Sequence, residues 1–113
     1  PESFREEDTA GLQKQGERAQ RRLGSISGDE EIKILYFPFL LGKQEGLVDH
    51  VVARDTVSRL HARIDRENGA YTVTDLNSTN GVRVDGRLLQ TNETVPLPVG
   101  SEIYLADAGF LFL

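Results

Sequence analysis

From Glu31 onward the chain alternates apolar and polar residues in short runs separated by turn residues. That is the pattern of half-buried β-strands, not of helices. Glu31 to Leu41 predicts a first strand, with Ile32, Ile34 and Tyr36 on one face and Lys33 on the other. Pro38 lacks the N–H that a ladder needs, so a bulge or an edge position is expected there. Leu60, Ala62 and Ile64 alternate with His61 and Arg63. Asn68-Gly69 then signals a tight hairpin, and its return strand carries Tyr71, Val73 and Asp75 on one face. A second hairpin runs from Gly81-Val82-Arg83-Val84 through Asp85-Gly86 into Arg87-Leu88-Leu89. The last pair is Glu102 to Leu105 and Gly109 to Leu113, joined around Asp107-Ala108-Gly109. Several strands at this spacing, with no convincing helix between them, predict an all-β fold, an antiparallel β-sandwich of two sheets.

Residues 1–30 do not share the pattern. They are rich in Glu, Gln, Arg and Gly, with apolar residues too sparse for a core. Leu12, Ala19 and Leu23 could share a helix face, but Gly11 and Gly16 weaken such a helix by about 1 kcal/mol each. The expected organisation is a non-globular or marginally helical linker or docking segment over 1–30, with Gly24 to Gly28 as its flexible end, followed by one domain over 31–113. The chain begins with Pro1 and not Met, which suggests a fragment of a longer protein.

Composition narrows the function. A length of 113 residues suits a single domain with a real core. The apolar run from Ile34 to Leu41 contains Pro38 and is far too short to span a bilayer, and the charged N-terminus does not read as a signal peptide. The absence of cysteine excludes disulfides and thiol chemistry and fits a cytoplasmic protein. Net charge is −5, and from Glu31 onward 8 basic against 11 acidic residues leave −3, which argues against a nucleic-acid binder. Affinity for an anion must then come from a local cluster. Two histidines, His50 and His61, give no zinc pattern, so neither metal nor cofactor is expected. Acids such as Asp49 and Asp55 stand beside no nucleophile, so no enzyme is expected.

Two loop-and-strand-edge segments carry the chemistry, Val57-Ser58-Arg59-Leu60-His61-Ala62-Arg63-Ile64 and Asp75-Leu76-Asn77-Ser78-Thr79-Asn80-Gly81. With Gly42-Lys43 upstream they supply hydroxyls, an amide and cations from three separate places. A phosphate monoester carries about −1.5 to −2 charge on a tetrahedral set of oxygens, and such donors can converge on it. Taken singly, each segment has a plainer reading. Ser58-Arg59 also fits a capped turn with a solvated Arg, and Asn77 to Gly81 fits a tight turn. His61, in a strand beside a loop, reads first as a brace for neighbouring backbone.

In combination and in this order, Gly-Lys, Ser-Arg-x-His and Asp-Leu-x-Ser-Thr-Asn-Gly resemble the forkhead-associated (FHA) domain family over roughly Glu31 to Leu113. The resemblance implies a module that binds phosphothreonine peptides made by Ser/Thr kinases, at loops on one end of the sandwich. It implies that Ser58 bonds the phosphate, that Arg59 adds a charge or a backbone donor, and that Thr79 is a second phosphate-side hydroxyl. Asn80 would hold the peptide main chain, with Gly42, His61 and Gly81 as structural support. The family's arginine is Lys43 here, which keeps the attraction but loses the planar fork. That departure also admits a second function, an FHA-fold scaffold that binds protein partners independently of phosphate. Thr9, after Glu6-Glu7-Asp8 and three places before Leu12, has the look of an FHA ligand and suggests self-association when phosphorylated.

Overall fold

The computed structural model describes residues 20–113. Eleven strands follow in chain order: β1 (Arg21–Ser25), β2 (Glu31–Ile34), β3 (Phe39–Gly42), β4 (His50–Val51), β5 (Ala62–Glu67), β6 (Ala70–Asp75), β7 (Val82–Val84), β8 (Arg87–Leu88), β9 (Thr94–Pro96), β10 (Glu102–Leu105) and β11 (Ala108–Phe112). They form one six-stranded sheet in the order β2-β1-β11-β10-β7-β8 and one five-stranded sheet in the order β4-β3-β5-β6-β9. Both sheets are antiparallel except for the parallel contact of β3 with β4. The expected all-β sandwich is the observed one.

The period-2 alternation sets which faces meet. Ile32, Ile34, Phe110 and Phe112 from one sheet oppose Phe39, Leu41, Ile64 and Val73 from the other, all buried. Each such side chain contributes about 1.5–3 kcal/mol of transfer free energy. The hairpins fall at the turn signals. Asn68 and Gly69 have φ of 53° and 78°, and Asp85 and Gly86 have 50° and 86°, the left-handed conformations that two-residue hairpin turns require. The last hairpin turns one residue earlier than expected, at Ala106-Asp107.

Two expectations need correction. The folded domain does not begin at residue 31. Arg21–Ser25 is β1, seated between β2 and β11, with Leu23 fully buried opposite Ile32 and Phe112. Its single apolar side chain among arginines, glycine and serine hides the strand from any pattern reading. Backbone pairing on both sides holds it instead. Likewise, Glu31 to Leu41 is two strands, not one. The chain leaves the first sheet after Ile34, passes through Leu35 to Pro38, and enters the second sheet at Phe39. Tyr36 therefore lies outside the face of Ile32 and Ile34. It is exposed, with its hydroxyl donating to Asp49 at 2.7 Å. Thr9, Leu12 and the helix considered around them lie outside the described residues.

Candidate functional site

Three chain segments meet at one end of the sandwich because backbone hydrogen bonds tie them there. Beyond β3, Lys43 N–H donates to the Ser58 carbonyl at 2.9 Å, and Gln44 N–H donates to the Arg59 carbonyl at 3.2 Å. The close approach is possible only because residue 42 is glycine. A Cβ at Gly42 would sit 2.1 Å from the Arg59 carbonyl oxygen. On the other side, Leu76 N–H donates to the His61 carbonyl at 3.0 Å, bringing the end of β6 against the segment before β5.

His61 is fully buried and joins the two loops through its ring. Its Nδ1 accepts the Ser58 N–H at 3.0 Å, so the proton of the neutral imidazole sits on Nε2, which donates to the Gly81 carbonyl at 2.8 Å. The second loop is braced from within. The Ser78 hydroxyl donates to the Asp75 carboxylate and accepts the Gly81 N–H at 3.0 Å. Gly81, at φ 87°, has a conformation that L side chains adopt at a cost, and a Cβ there would lie 2.7 Å from Leu88 Cδ1.

These braces leave the hydroxyl of Ser58 in a defined state. Its oxygen accepts the Thr79 N–H at 2.9 Å, and no described residue accepts its own proton. Asn80 uses one amide N–H on the Thr56 carbonyl at 2.8 Å, which fastens loop to loop and occupies a donor expected to face a ligand. The loops enclose an open cavity of about 620 Å³, lined by Lys43, Ser58, Arg59, Thr79 and Asn80 among others. All five residues expected to contact a ligand are therefore together, with Gly42, His61 and Gly81 behind them. The side chains of Lys43 and Arg59 make no ion pair or hydrogen bond with any described residue. Two unpaired cations beside the Ser58 and Thr79 hydroxyls can receive a compact anion, each charge-assisted bond contributing about 1.5–3 kcal/mol.

Leu60 and Asn77, from within the two motif segments, also line the cavity, as do Gln44, Leu47, Asp55 and Thr56. Asp55 and Thr56 belong to no motif, and their signal was only proximity, since they precede Ser58. Among the described residues, no group of three or more His, Cys, Asp or Glu converges to hold a metal, and no helix is long and apolar enough to cross a membrane.

A two-sheet sandwich with its polar apparatus in end loops, braced by a buried histidine, is the architecture of a loop-based recognition domain. The FHA domain family model matches residues 39–106, more than half of the chain, and this chain belongs to that family. No curated protein matches the sequence. Among solved structures it is similar to Mycobacterium tuberculosis EmbR in complex with a low-affinity phosphopeptide, at 28% identity and a TM-score of 0.78. That match covers 88% of this chain and 25% of the EmbR chain, so this chain spans about a quarter of that protein's length. It is similar to the FHA domain of CT664 from Chlamydia trachomatis at 25% identity and a TM-score of 0.74, over 84% of this chain and 97% of that one. The N-terminal FHA domain of S. cerevisiae Rad53p, in complex with a phosphothreonine peptide, shares the fold at 17% identity and a TM-score of 0.75, over 84% of this chain and 93% of that one.

Proposed function

We propose that this chain is a phosphothreonine-peptide reader that recognises the products of Ser/Thr kinases and catalyses nothing itself. One observation carries the reading. Ser58, Arg59, Lys43 and Thr79 line one cavity, with the Ser58 hydroxyl proton free and both cations unpaired among the described residues. In this reading Ser58 and Thr79 donate hydroxyls to the phosphate, Arg59 and Lys43 neutralise it, and Asn80 holds the peptide main chain with its remaining amide atoms. That EmbR, to which this chain is similar, is in complex with a phosphopeptide supports a phosphorylated peptide as the ligand. A reader of kinase products works where kinases and their substrates meet, which assigns this chain to the cytoplasm and to signal transduction.

Lysine in place of the family's arginine supplies a point charge without a bidentate fork, so Arg59 carries the larger share of the charge-assisted bonding. Discrimination of phosphothreonine from phosphoserine rests on one methyl group, about 0.8 kcal/mol when fully buried, or roughly fourfold in affinity.

The test is fluorescence anisotropy with a degenerate phosphothreonine peptide library, alongside unphosphorylated and phosphoserine controls. Saturable binding that requires the phosphate is expected, about fourfold tighter to phosphothreonine than to phosphoserine. Ser58→Ala and Arg59→Ala are each expected to weaken it by about 10- to 150-fold, the equivalent of one charge-assisted hydrogen bond. Binding that is equal across the three libraries, or indifferent to both substitutions, rejects the reading.

A further inference from the structure

The cavity holds one negative charge that the binding of an anion does not explain. Asp55 is the only carboxylate among its described lining residues. Both of its neighbours in sequence are engaged elsewhere. Thr56 Oγ1 donates to Asp107 Oδ1 at 2.6 Å, and Arg54 Nη1 lies 3.6 Å from the same oxygen. The Thr56 hydroxyl, and with it the Arg54 guanidinium, hold the Asp107 carboxyl below the usual carboxylate range. Asp107 therefore keeps its charge, and Arg54 is turned away from Asp55. Asp55 itself makes no ion pair or hydrogen bond with a described residue.

The cavity is thus bipolar. Lys43 and Arg59 supply the positive charge, Asp55 supplies the negative one, and the two signs do not pair with each other. Leu47, 46% exposed, and the partly buried Leu60 give the same cavity an aliphatic wall. Long cationic side chains suit that combination, since lysine and arginine lay their methylene stems on apolar surface while the head stays at a polar edge. An acidic ligand residue at this edge would instead meet a like charge.

We propose that Asp55 makes the cavity selective for phosphothreonine ligands that carry a lysine or arginine close to the phosphorylated residue. This rests on the phosphopeptide reading above and specifies its ligand class. A sphere of 620 Å³ is about 10 Å across, and an extended peptide advances about 3.3 Å per residue. The basic side chain therefore falls within about three residues of the phosphothreonine.

A positional-scanning library tests this, with phosphothreonine fixed and Lys, Ala or Glu placed in turn at each of the three positions on either side. Its affinities are compared for the unaltered chain, Asp55→Asn and Asp55→Arg, with thermal unfolding as a control for folding. The unaltered chain is expected to prefer Lys over Ala by about two- to fivefold at one of these positions, the range of an exposed ion pair. Asp55→Asn is expected to level that position, and Asp55→Arg to turn its preference to Glu. Phosphothreonine-dependent binding with no basic preference, or with a preference that Asp55→Arg leaves in place, overturns the inference and leaves the reader standing. No binding by any phosphothreonine peptide overturns both.

Discussion

Replacing His61 by alanine is expected to destabilise the domain by about 3–5 kcal/mol, as for truncating a large buried ring. Two effects add. The ring is fully buried, so its removal leaves a void that a tightly packed sandwich cannot fill. The Ser58 N–H also loses its acceptor, and a buried donor without a partner costs about 1–3 kcal/mol. The Gly81 carbonyl fares better, because it also accepts the Ala106 N–H at 3.0 Å. Equilibrium urea unfolding of the alanine variant reads the total. Two milder variants separate its parts. In His61→Asn the side-chain oxygen takes the place of Nδ1 and accepts the Ser58 N–H, but the side chain is too short to reach Gly81. In His61→Gln the amide reaches toward Gly81 and leaves Ser58 unheld. If His61 acts on ligands by positioning Ser58, the asparagine variant retains more phosphopeptide affinity than the glutamine variant at similar stability. Equal affinity of the two would reduce His61 to a stabilising core residue.

Gly42→Ala is expected to cost at least about 3 kcal/mol, at or beyond the upper end for overpacking. The new methyl group would lie 2.1 Å from the Arg59 carbonyl oxygen and 2.8 Å from its carbon, both backbone atoms. Backbone cannot swing aside as a side chain does, so β3 and the Ser58-Arg59 segment must separate. The bonds from Lys43 and Gln44 to Ser58 and Arg59 would then lengthen together, so ligand affinity is expected to fall along with stability. Gly46→Ala is the natural comparison. Gly46 has φ 87° with nothing within 4 Å of an added Cβ, so that change meets only the left-handed backbone penalty of about 1–2 kcal/mol. Denaturant midpoints of the two variants distinguish contact from conformation. A Gly42→Ala protein as stable as Gly46→Ala would show that the two segments are free to move apart.

Much of this domain was legible in the chain because the physics was local. Alternation of Ala62, Ile64 and Val73 with polar residues marks faces of strands, and Asn68-Gly69 and Asp85-Gly86 mark turns by the φ they permit. The motifs around Lys43, Ser58 and Thr79 were recognisable as residue types in a fixed order. Where the reading failed, the stabilising contacts were remote in sequence. Leu23 gives β1 its place through Ile32 and Phe112, and no window of neighbouring residues contains that information. Tyr36 continues the alternation of Ile32 and Ile34, yet it lies beyond the point where the chain changes sheets.

The candidate site divides along the same line. The sequence by itself determined which side chains are available, a serine, a threonine, two cations and an asparagine, because covalent chemistry does not depend on the fold. It also determined the all-β class, because side-chain period is a local property. Tertiary structure alone decided how those groups are used. The Ser58 oxygen accepts the Thr79 N–H, twenty-one residues away, and no described residue accepts its proton, which stays available to a ligand. Asn80 spends an amide proton on Thr56. Asp55 stands unpaired because Asp107, from the turn between β10 and β11, holds both Arg54 and Thr56. Hydrogen-bond and ion-pair partners are chosen by distance in space, and only the folded chain sets that distance.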